Sequence, residues 1–361
     1  MAIPFSSTAS STDVGLAATG PVTVTSEIDE REWETYVLAH PEATVDHAWA
    51  WRSIFDDVLG HRTTYLAARR DGEVVGVLPL VLFQSLIFGR AVISLPFLNY
   101  GGLLADDDDA AAALSAEAIR VGRTFKAAHV ELRHQRPLLA PAPCRQHKLR
   151  LTRTLAPTVD ALWTETDRKV RNQVRKAQKE HLTAVTGGRE LLGEFYDVFA
   201  RNMRDLGTPV YSKRLFTETL RVFGGAARVH LVRQGGRALA GAVALTFRDT
   251  MLVPWASSLR EFRPLCPNML LYWSMLEAAT VNGFRVFDFG RSSPNGGTHQ
   301  FKLQWGATEA PLYWEYPYLS GGSIPDHGPT NPKFERAIAV WRHCPLWLTN
   351  AVGPHVVRAI P

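Results

Sequence analysis

Residues Phe284–Tyr318 read FRVFDFGRSSPNGGTHQFKLQWGATEAPLYWEYPY, and this stretch carries the clearest structural signal in the chain. It predicts an apolar strand over Phe284–Phe289, a glycine-rich loop, and then a strand pair that carries Phe301-Lys302 and Trp305-Gly306. Because glycines let the backbone approach a ligand closely, we expect the loop to bring Arg291 and Lys302 to one edge of a cleft. Two cations at that edge suit a phosphorylated or carboxylated substrate.

Length and composition indicate a globular protein with more than one domain. The chain has 361 residues, of which 46% are hydrophobic and 21% are charged. Its three cysteines lie far apart without metal-ligand spacing, so we predict no metal site and a reducing compartment. We divide the chain into a disordered leader (1–22), a first domain (23–150), a second domain with the reaction centre (151–320), and a linker with a C-terminal amphipathic helix (321–361).

An internal repeat supports this division. At a constant offset of 165 (241 minus 76), Tyr65–Leu82 overlays His230–Phe247, and both segments read as strand, glycine-containing turn and strand. The surrounding pattern repeats too, with helices predicted at 30–39, 49–59, 110–127, 190–205, 213–223 and 268–281, and strands at 129–133 and 285–289. The sequence therefore predicts an α/β (α+β) fold in which one mixed α/β unit occurs twice.

A basic helix is predicted over Asp167–Glu180. Arg171 and Arg175 belong to a cationic stripe at helical spacing, opposite a narrow apolar stripe. This face is either solvated or binds phosphate-bearing ligands or RNA. We expect no DNA partner.

Two loops are further candidates for the wall of a substrate site. Leu206–Lys213 joins two helices and offers Tyr211 and Lys213, although its Thr208-Pro209 and Ser212 equally suit a helix end and a helix cap. The loop Asn99–Gly102 offers Tyr100, and its alternative interpretation is a plain turn.

Several motifs together resemble FemAB-type proteins, and more narrowly the FemAB-related branch associated with exosortase (PEP-CTERM) and exopolysaccharide gene clusters. The resemblance covers roughly residues 25 to 350. It rests on KVRNQVRKA (169–177), GTP (207–209), PNMLLYW (267–273), FDFGRS (287–292) and FKLQWG (301–306).

This resemblance implies two tandem GNAT-like acyltransferase domains, the second of which holds the reaction centre. Characterised Fem ligases move an amino acid from aminoacyl-tRNA to a peptide amine of a cell-wall precursor. On the matching motif, Lys302 would bind a phosphate or stabilise the charge that develops on the acyl carbonyl, and Arg291 would be a second anion clamp. The motifs also make substrate-binding candidates of Asn268, Ser292, Phe301 and Trp305.

The donor stays open between aminoacyl-tRNA and acyl-CoA, and we expect no other bound cofactor. The long helical arm that many tRNA-using Fem ligases carry is missing from the pattern. The loop Leu259–Asn268, where acetyl-CoA enzymes place glycine amides around the pyrophosphate, contains no glycine.

No arrangement of nucleophile and base predicts a covalent intermediate, so direct attack by an amine on the acyl donor is the simpler chemistry. Asp288 is expected either to orient Arg291 or to accept a proton, and Glu315 and Tyr313 are further candidate bases.

Three functions stay open: an acyl or aminoacyl N-transferase that acts on a cell-envelope or exopolysaccharide precursor, an acyl-CoA-dependent N-acetyltransferase, and a non-catalytic glycan-assembly protein. The acceptor is expected to be phosphorylated or lipid-linked. No signal peptide is evident, which predicts a cytoplasmic protein. The tail helix predicted at Lys333–Leu348 would either rest on the inner face of the membrane or fold back onto the second domain.

Overall fold

The computed structural model describes residues 20–321, residue 324 and residues 332–361. Most of the predicted leader and of the predicted linker lie outside these residues. The first strand begins at Thr23.

The first half of the chain forms six strands, three helices and a seventh strand that leads into the second half. These are β1 (Thr23–Thr25), α1 (Glu30–Ala39), α2 (Trp51–Ser53) with a π-helical continuation (Ile54–Leu59), β2 (Arg62–Arg70), β3 (Glu73–Ser85), β4 (Gly89–Ile93), β5 (Leu104–Ala105), α3 (Asp108–Thr124), β6 (His129–His134) and β7 (Cys144–Thr154).

The second half repeats this order and adds five helices: two before it, one between its last two strands and two after it. It contains α4 (Val159–Glu165), α5 (Arg168–Lys179), β8 (Thr183–Gly187), α6 (Leu192–Leu206), α7 (Lys213–Phe223), β9 (Ala227–Gln234), β10 (Arg237–Phe247), β11 (Thr250–Ser258), α8 (Pro267–Val281), β12 (Val286–Ser292), α9 (Gly297–Leu303), β13 (Thr308–Leu319), α10 (Pro332–His343) and α11 (Leu346–Val357). Short 3₁₀ turns occupy Val45–His47, Arg189–Leu191, Gly224–Ala226 and Arg260–Leu265.

All the strands of the described residues join one mixed sheet. Its order is β1-β2-β3-β4-β6-β13-β7-β12-β11-β10-β9-β8, and β5 pairs with β3 off this path. The two parallel pairs, β4 with β6 and β11 with β12, lie symmetrically about the central strands β13 and β7. The mixed α/β fold with two repeated halves is thus confirmed, and the expected boundary at residue 150 lies inside β7.

The halves share packing as well as the sheet. In the second half, α8 is apolar on all sides and lies buried between the sheet and the apolar face of α5. On the other face of the sheet, Ile54 and Phe55 of the first half pack in one cluster with Phe195 and Phe216 of the second. Because one core contains side chains from both halves, their relative position is fixed by close packing.

Two sequence predictions are wrong in detail. Phe301 and Lys302 lie on helix α9 and not on a strand, because Phe301 packs its ring edge-on against Tyr272 of α8 at 4.9 Å and thereby docks a helical turn on the core. The tail is two helices, since Pro345 cannot continue the first one.

The tail folds back onto the second half. Arg342 of α10 donates to the carbonyl of Leu206 at 3.3 Å. In α11, Gly353 lies so close to Val210 that an added Cβ would be 2.9 Å from its backbone. Of the two alternatives for the tail, the structure therefore shows packing on α6, and no helix among the described residues has the length and apolarity needed to cross a bilayer.

Candidate functional site

The glycine-rich loop begins with an irregularity at the end of β12. The pairing of β12 with β7 shifts register between Asp288 and Arg291, and Gly290 between them has a φ of 71°. A left-handed residue inside a strand favours glycine, and a Cβ at this position would lie 3.2 Å from the Asn99 side chain. The bulge turns Arg291 towards the first half of the chain.

Asp288 is a fully hydrogen-bonded carboxylate. It accepts from the hydroxyl of Tyr100 at 3.0 Å, from Nε of Arg150 at 3.1 Å and from the amide of Gly290 at 2.7 Å. The expected pairing of Asp288 with Arg291 is therefore wrong, because Arg150 on the neighbouring strand takes that place. Tyr100 is only 1% exposed, and its hydroxyl positions Asp288.

A second buried carboxylate, Asp46, holds the loop of the first half that contacts Arg291. Asp46 accepts from the amides of Asn99 at 2.9 Å and Tyr100 at 2.7 Å, and its burial raises its pKa to about 7. Asn99 Oδ1 accepts from the amide of Arg291 at 3.3 Å, and Arg291 Nη1 donates to the carbonyl of Leu98 at 2.7 Å. Arg291 is thus fixed by backbone and amide groups from the opposite half.

Arg291 and Arg133 lie near one indole ring. The guanidinium carbon of Arg133 is 3.9 Å from the centre of the Trp314 ring, and that of Arg291 is 5.5 Å from it. Burial, with the charge of Arg133, lowers the pKa of Arg291 to about 10. Burial also lowers the pKa of Lys148 to about 8, with Arg291 and Arg133 adding to the shift. We call Arg133, Lys148 and Arg291 the cation cluster.

Arg133 of the cation cluster and three residues near it in the sheet have buried polar atoms without partners in the described part of the chain. Among the described residues, no hydrogen-bond partner is found for Arg133 Nη1, Ser292 Oγ, His147 Nδ1 or Trp314 Nε1. Glu131 neutralises part of the charge through a 2.7 Å contact with Arg133 Nε. Since buried polar groups are nearly always hydrogen-bonded, this combination fits an anionic ligand.

Lys302 reaches the same loop from α9. Its Nζ donates to the carbonyls of Gly290 at 3.2 Å and Arg291 at 2.9 Å, which leaves one N–H available. The side chain is 8% exposed, and burial lowers its pKa to about 8, against the opposing effect of Asp288. The structure thus brings Lys302 and Arg291 together, as expected from the sequence.

Other candidates lie elsewhere or pack in the core. Arg171 and Arg175 lie on α5, where Arg175 stacks over Trp163 at 5.3 Å, and Lys213 is exposed at the start of α7. Phe301 contacts Tyr272, and Trp305 is completely buried beside them. Tyr211 adjoins the cation cluster, and Ser292 follows Arg291 on β12, where it pairs with Leu149. Asn268 is the second residue of α8. Glu315 accepts from the amides of Leu138 and Leu139 and contacts His134.

Sequence reasoning missed Asp46, which lies on the turn Val45–His47, and the partners that come from central strands: Arg133, His147, Lys148, Arg150 and Trp314. One signal was present, because Lys148 and Arg150 are two apart in a strand and therefore share a face. No local pattern shows that β6, β7, β12 and β13 are neighbours.

A cavity of about 390 Å³ opens between the halves on the side of Asp288. Its wall includes Asp288, Arg150 and Tyr100, together with Val45 of the first half and Leu252 of the second. Lys302 and the three residues of the cation cluster are not among the residues that line this cavity.

Comparisons with known proteins agree with this architecture. Residues 165–303 match the family model described as an acetyltransferase (GNAT) domain. The chain therefore contains a GNAT-like acyltransferase domain. No curated protein matches its sequence significantly.

Three solved structures share the fold at low identity. FemX has 16% identity and a TM-score of 0.60, with 81% of this chain and 96% of FemX covered. A C-terminal domain assigned to a lysylphosphatidylglycerol synthetase of Agrobacterium fabrum has 12% identity and a TM-score of 0.52, covering 68% of this chain and 82% of that one. A tandem GNAT protein from the clavulanic acid biosynthesis pathway has 12% identity and a TM-score of 0.51, with 83% and 99% covered. The expected tandem GNAT-like architecture is therefore confirmed.

Proposed function

We propose that the chain transfers an acyl or aminoacyl group to an amine of a cell-envelope or exopolysaccharide precursor at the cytoplasmic face of the membrane. Support for this acceptor comes from the motifs that resemble the FemAB-related, exosortase-associated branch. The structural likeness to FemX and to a domain assigned to lysylphosphatidylglycerol synthesis is consistent with an aminoacyl donor and a phosphate-bearing acceptor.

The observation that carries the proposal is the cation cluster beside Lys302. Of the three cations, Arg133 is buried and Lys148 and Arg291 are half-buried, and the neighbouring carboxylates are Glu131 and Asp46. Within the described part of the chain, Arg133 Nη1 and His147 Nδ1 beside them have no hydrogen-bond partner. A phosphate or pyrophosphate group would supply the missing charge and accept several hydrogen bonds, and arginine can bind such a group in bidentate fashion. We assign this subsite to the phosphate of the acceptor.

Lys302 is the group that we assign to the reacting carbonyl. The acceptor amine forms a bond to the acyl carbon, and negative charge develops on the carbonyl oxygen. The third N–H of Lys302 stabilises that charge in a site shielded from water. The bond from the acyl carbon to the donor oxygen or sulfur then breaks, and the proton lost by the amine leaves with the departing group.

An acyl-CoA donor is the second candidate, and the match of residues 165–303 to an acetyltransferase model favours it. In the structure, the loop before α8 forms a 3₁₀ turn over Arg260–Leu265 and is cationic through Arg260 and Arg263. These side chains would have to replace the glycine amides that usually hold the pyrophosphate of coenzyme A.

A label-transfer assay tests both proposals. Purified protein is given labelled aminoacyl-tRNA or labelled acyl-CoA separately, with envelope extract as the source of acceptors. We expect transfer from one donor, lost in Lys302→Ala and in Arg291→Ala but retained in Arg31→Ala, which removes an exposed arginine of α1.

Transfer from aminoacyl-tRNA supports the first proposal, and transfer from acyl-CoA supports the second. Transfer that persists in both site variants would contradict the assignment of this site. Acceptor binding without transfer from either donor would favour a non-catalytic glycan-assembly protein instead.

A further inference from the structure

The hairpin between β3 and β4 ends in an exposed apolar tip. Leu86 is 105% exposed, the highest value among the large apolar residues that the structure describes. Its neighbour Ile87 is 68% exposed. They lie side by side at the turn, and Phe88 follows and packs partly against the sheet. Two adjacent large apolar side chains are therefore presented to the surroundings on a projecting turn.

The fold does not require this turn to be apolar. The repeat provides a matched comparison, because the equivalent turn between β10 and β11 consists of Arg248 and Asp249. In the apolar turn, the hydroxyl of Ser85 accepts from the amides of Ile87 at 3.2 Å and Phe88 at 3.3 Å. Since those amides are already bonded, moving the tip into an apolar phase costs less than it would for an open turn.

Basic residues surround the base of the tip. Arg90 follows the turn, and its guanidinium lies over the ring of Phe125 at 5.5 Å. Lys126 is exposed next to Phe125, and Arg123 is exposed on the last turn of α3. Residues 84–93 and 118–130 contain no aspartate or glutamate. The tip and these three cations form a surface that we call the basic hairpin surface.

We propose that the basic hairpin surface docks the protein on an anionic lipid bilayer, with Leu86 and Ile87 inserted at the interface and the three cations at the headgroup phosphates. A stable protein–protein interface needs about 800 Å² on each partner, which two projecting side chains do not supply. A bilayer needs only a small inserted apolar area together with nearby cations. The occupant that matches the size and charge of this surface is therefore the membrane.

This docking element is distinct from the tail. The tail helices pack on α6, and Trp347 is their most exposed large apolar residue, at 71%. The two surfaces can thus be tested against each other with single substitutions of exposed residues.

Flotation of the full chain with vesicles of phosphatidylcholine alone, or of phosphatidylcholine with one quarter phosphatidylglycerol, tests the proposal. We expect binding to the anionic vesicles, weakened about tenfold or more by Leu86→Ser with Ile87→Ser. Arg90→Gln, Arg123→Gln and Lys126→Gln should each weaken it about fivefold. The matched control is the double variant Leu38→Ser with Val281→Ser, which removes one exposed apolar residue from α1 and one from α8. This control should bind the vesicles as the wild type does.

Equal binding by the tip variant and the control overturns the proposal, and so does loss of binding in Trp347→Ser alone. Sedimentation velocity tests whether the surface binds a second copy of the chain instead. The proposal is also overturned if the wild type forms a dimer that the tip variant abolishes and does not bind vesicles. Vesicle binding is measured without donor or acceptor, so its outcome is separate from that of the transfer assay. Circular dichroism melting curves establish that each variant is folded.

Discussion

Lys302 should give the protein a stability that rises with pH, and Lys302→Met should remove this dependence. Burial lowers the pKa of Lys302 from its ordinary 10.5 to about 8. Between these values the unfolded chain holds a proton that the folded chain has released, so the free energy of unfolding rises with pH. At about 1.4 kcal/mol per pKa unit, the full effect is about 3 kcal/mol, of which about 2 kcal/mol falls between pH 7 and pH 9.5.

The substitution also removes two hydrogen bonds to backbone carbonyls, at a cost of about 1–3 kcal/mol that does not depend on pH. The free energy of unfolding of Lys302→Met is therefore subtracted from that of the wild type at pH 7 and again at pH 9.5. The informative quantity is the change in this difference between the two pH values. Other groups titrate in both proteins and cancel in this difference. Below pH 8 the buried ammonium destabilises the folded state. The free energy of unfolding of the variant is therefore highest, relative to that of the wild type, at pH 7.

Urea unfolding at pH 7 and pH 9.5, followed by circular dichroism, measures the effect. Between pH 7 and pH 9.5, we expect the free energy of unfolding of the wild type to rise by about 2 kcal/mol relative to that of Lys302→Met. Lys179→Met, at an exposed position at the end of α5, is the matched control and should move by less than about 0.5 kcal/mol. A difference for Lys302→Met that stays constant between the two pH values would refute the reasoning.

Three further predictions concern the site. If the cationic form of Lys302 stabilises the reacting carbonyl, the rate at saturating donor and acceptor should fall as pH rises through about 8. Initial rates measured from pH 6.5 to 9.5 that never decline would contradict this role. Arg133→Ala should weaken the binding of inorganic pyrophosphate about tenfold to hundredfold by calorimetry, whereas Arg31→Ala should not, and equal affinities would argue against the cation cluster as an anion site. Tyr100→Phe should destabilise the protein by about 1–2 kcal/mol in urea because Asp288 loses a buried hydrogen bond, and an unchanged midpoint would show that this bond contributes little.

Much of the local structure follows from sequence patterns. The helices Glu30–Ala39 and Lys213–Phe223 have the predicted bounds, because each combines a capping residue with an apolar face. The repeated order of elements and the family motifs predicted the two halves and the proximity of Arg291 and Lys302, which lie only eleven residues apart.

The composition of the site depends on the strand order of the sheet. Arg133, Lys148 and Trp314 lie on β6, β7 and β13, and they meet only because β13 inserts between β6 and β7. Asp46 acts from a separate turn on the loop that contacts Arg291.

The sequence by itself therefore determined helices such as α1 and α7, the repeat and the motif loop, since capping, periodicity and glycine placement act over a few residues. The tertiary structure alone decided which cations lie together, which carboxylate pairs with Arg150 and where the tail packs. These outcomes depend on contacts between residues far apart in the chain, whose free energy comes from burying shared surface and leaves no periodic signal in either partner.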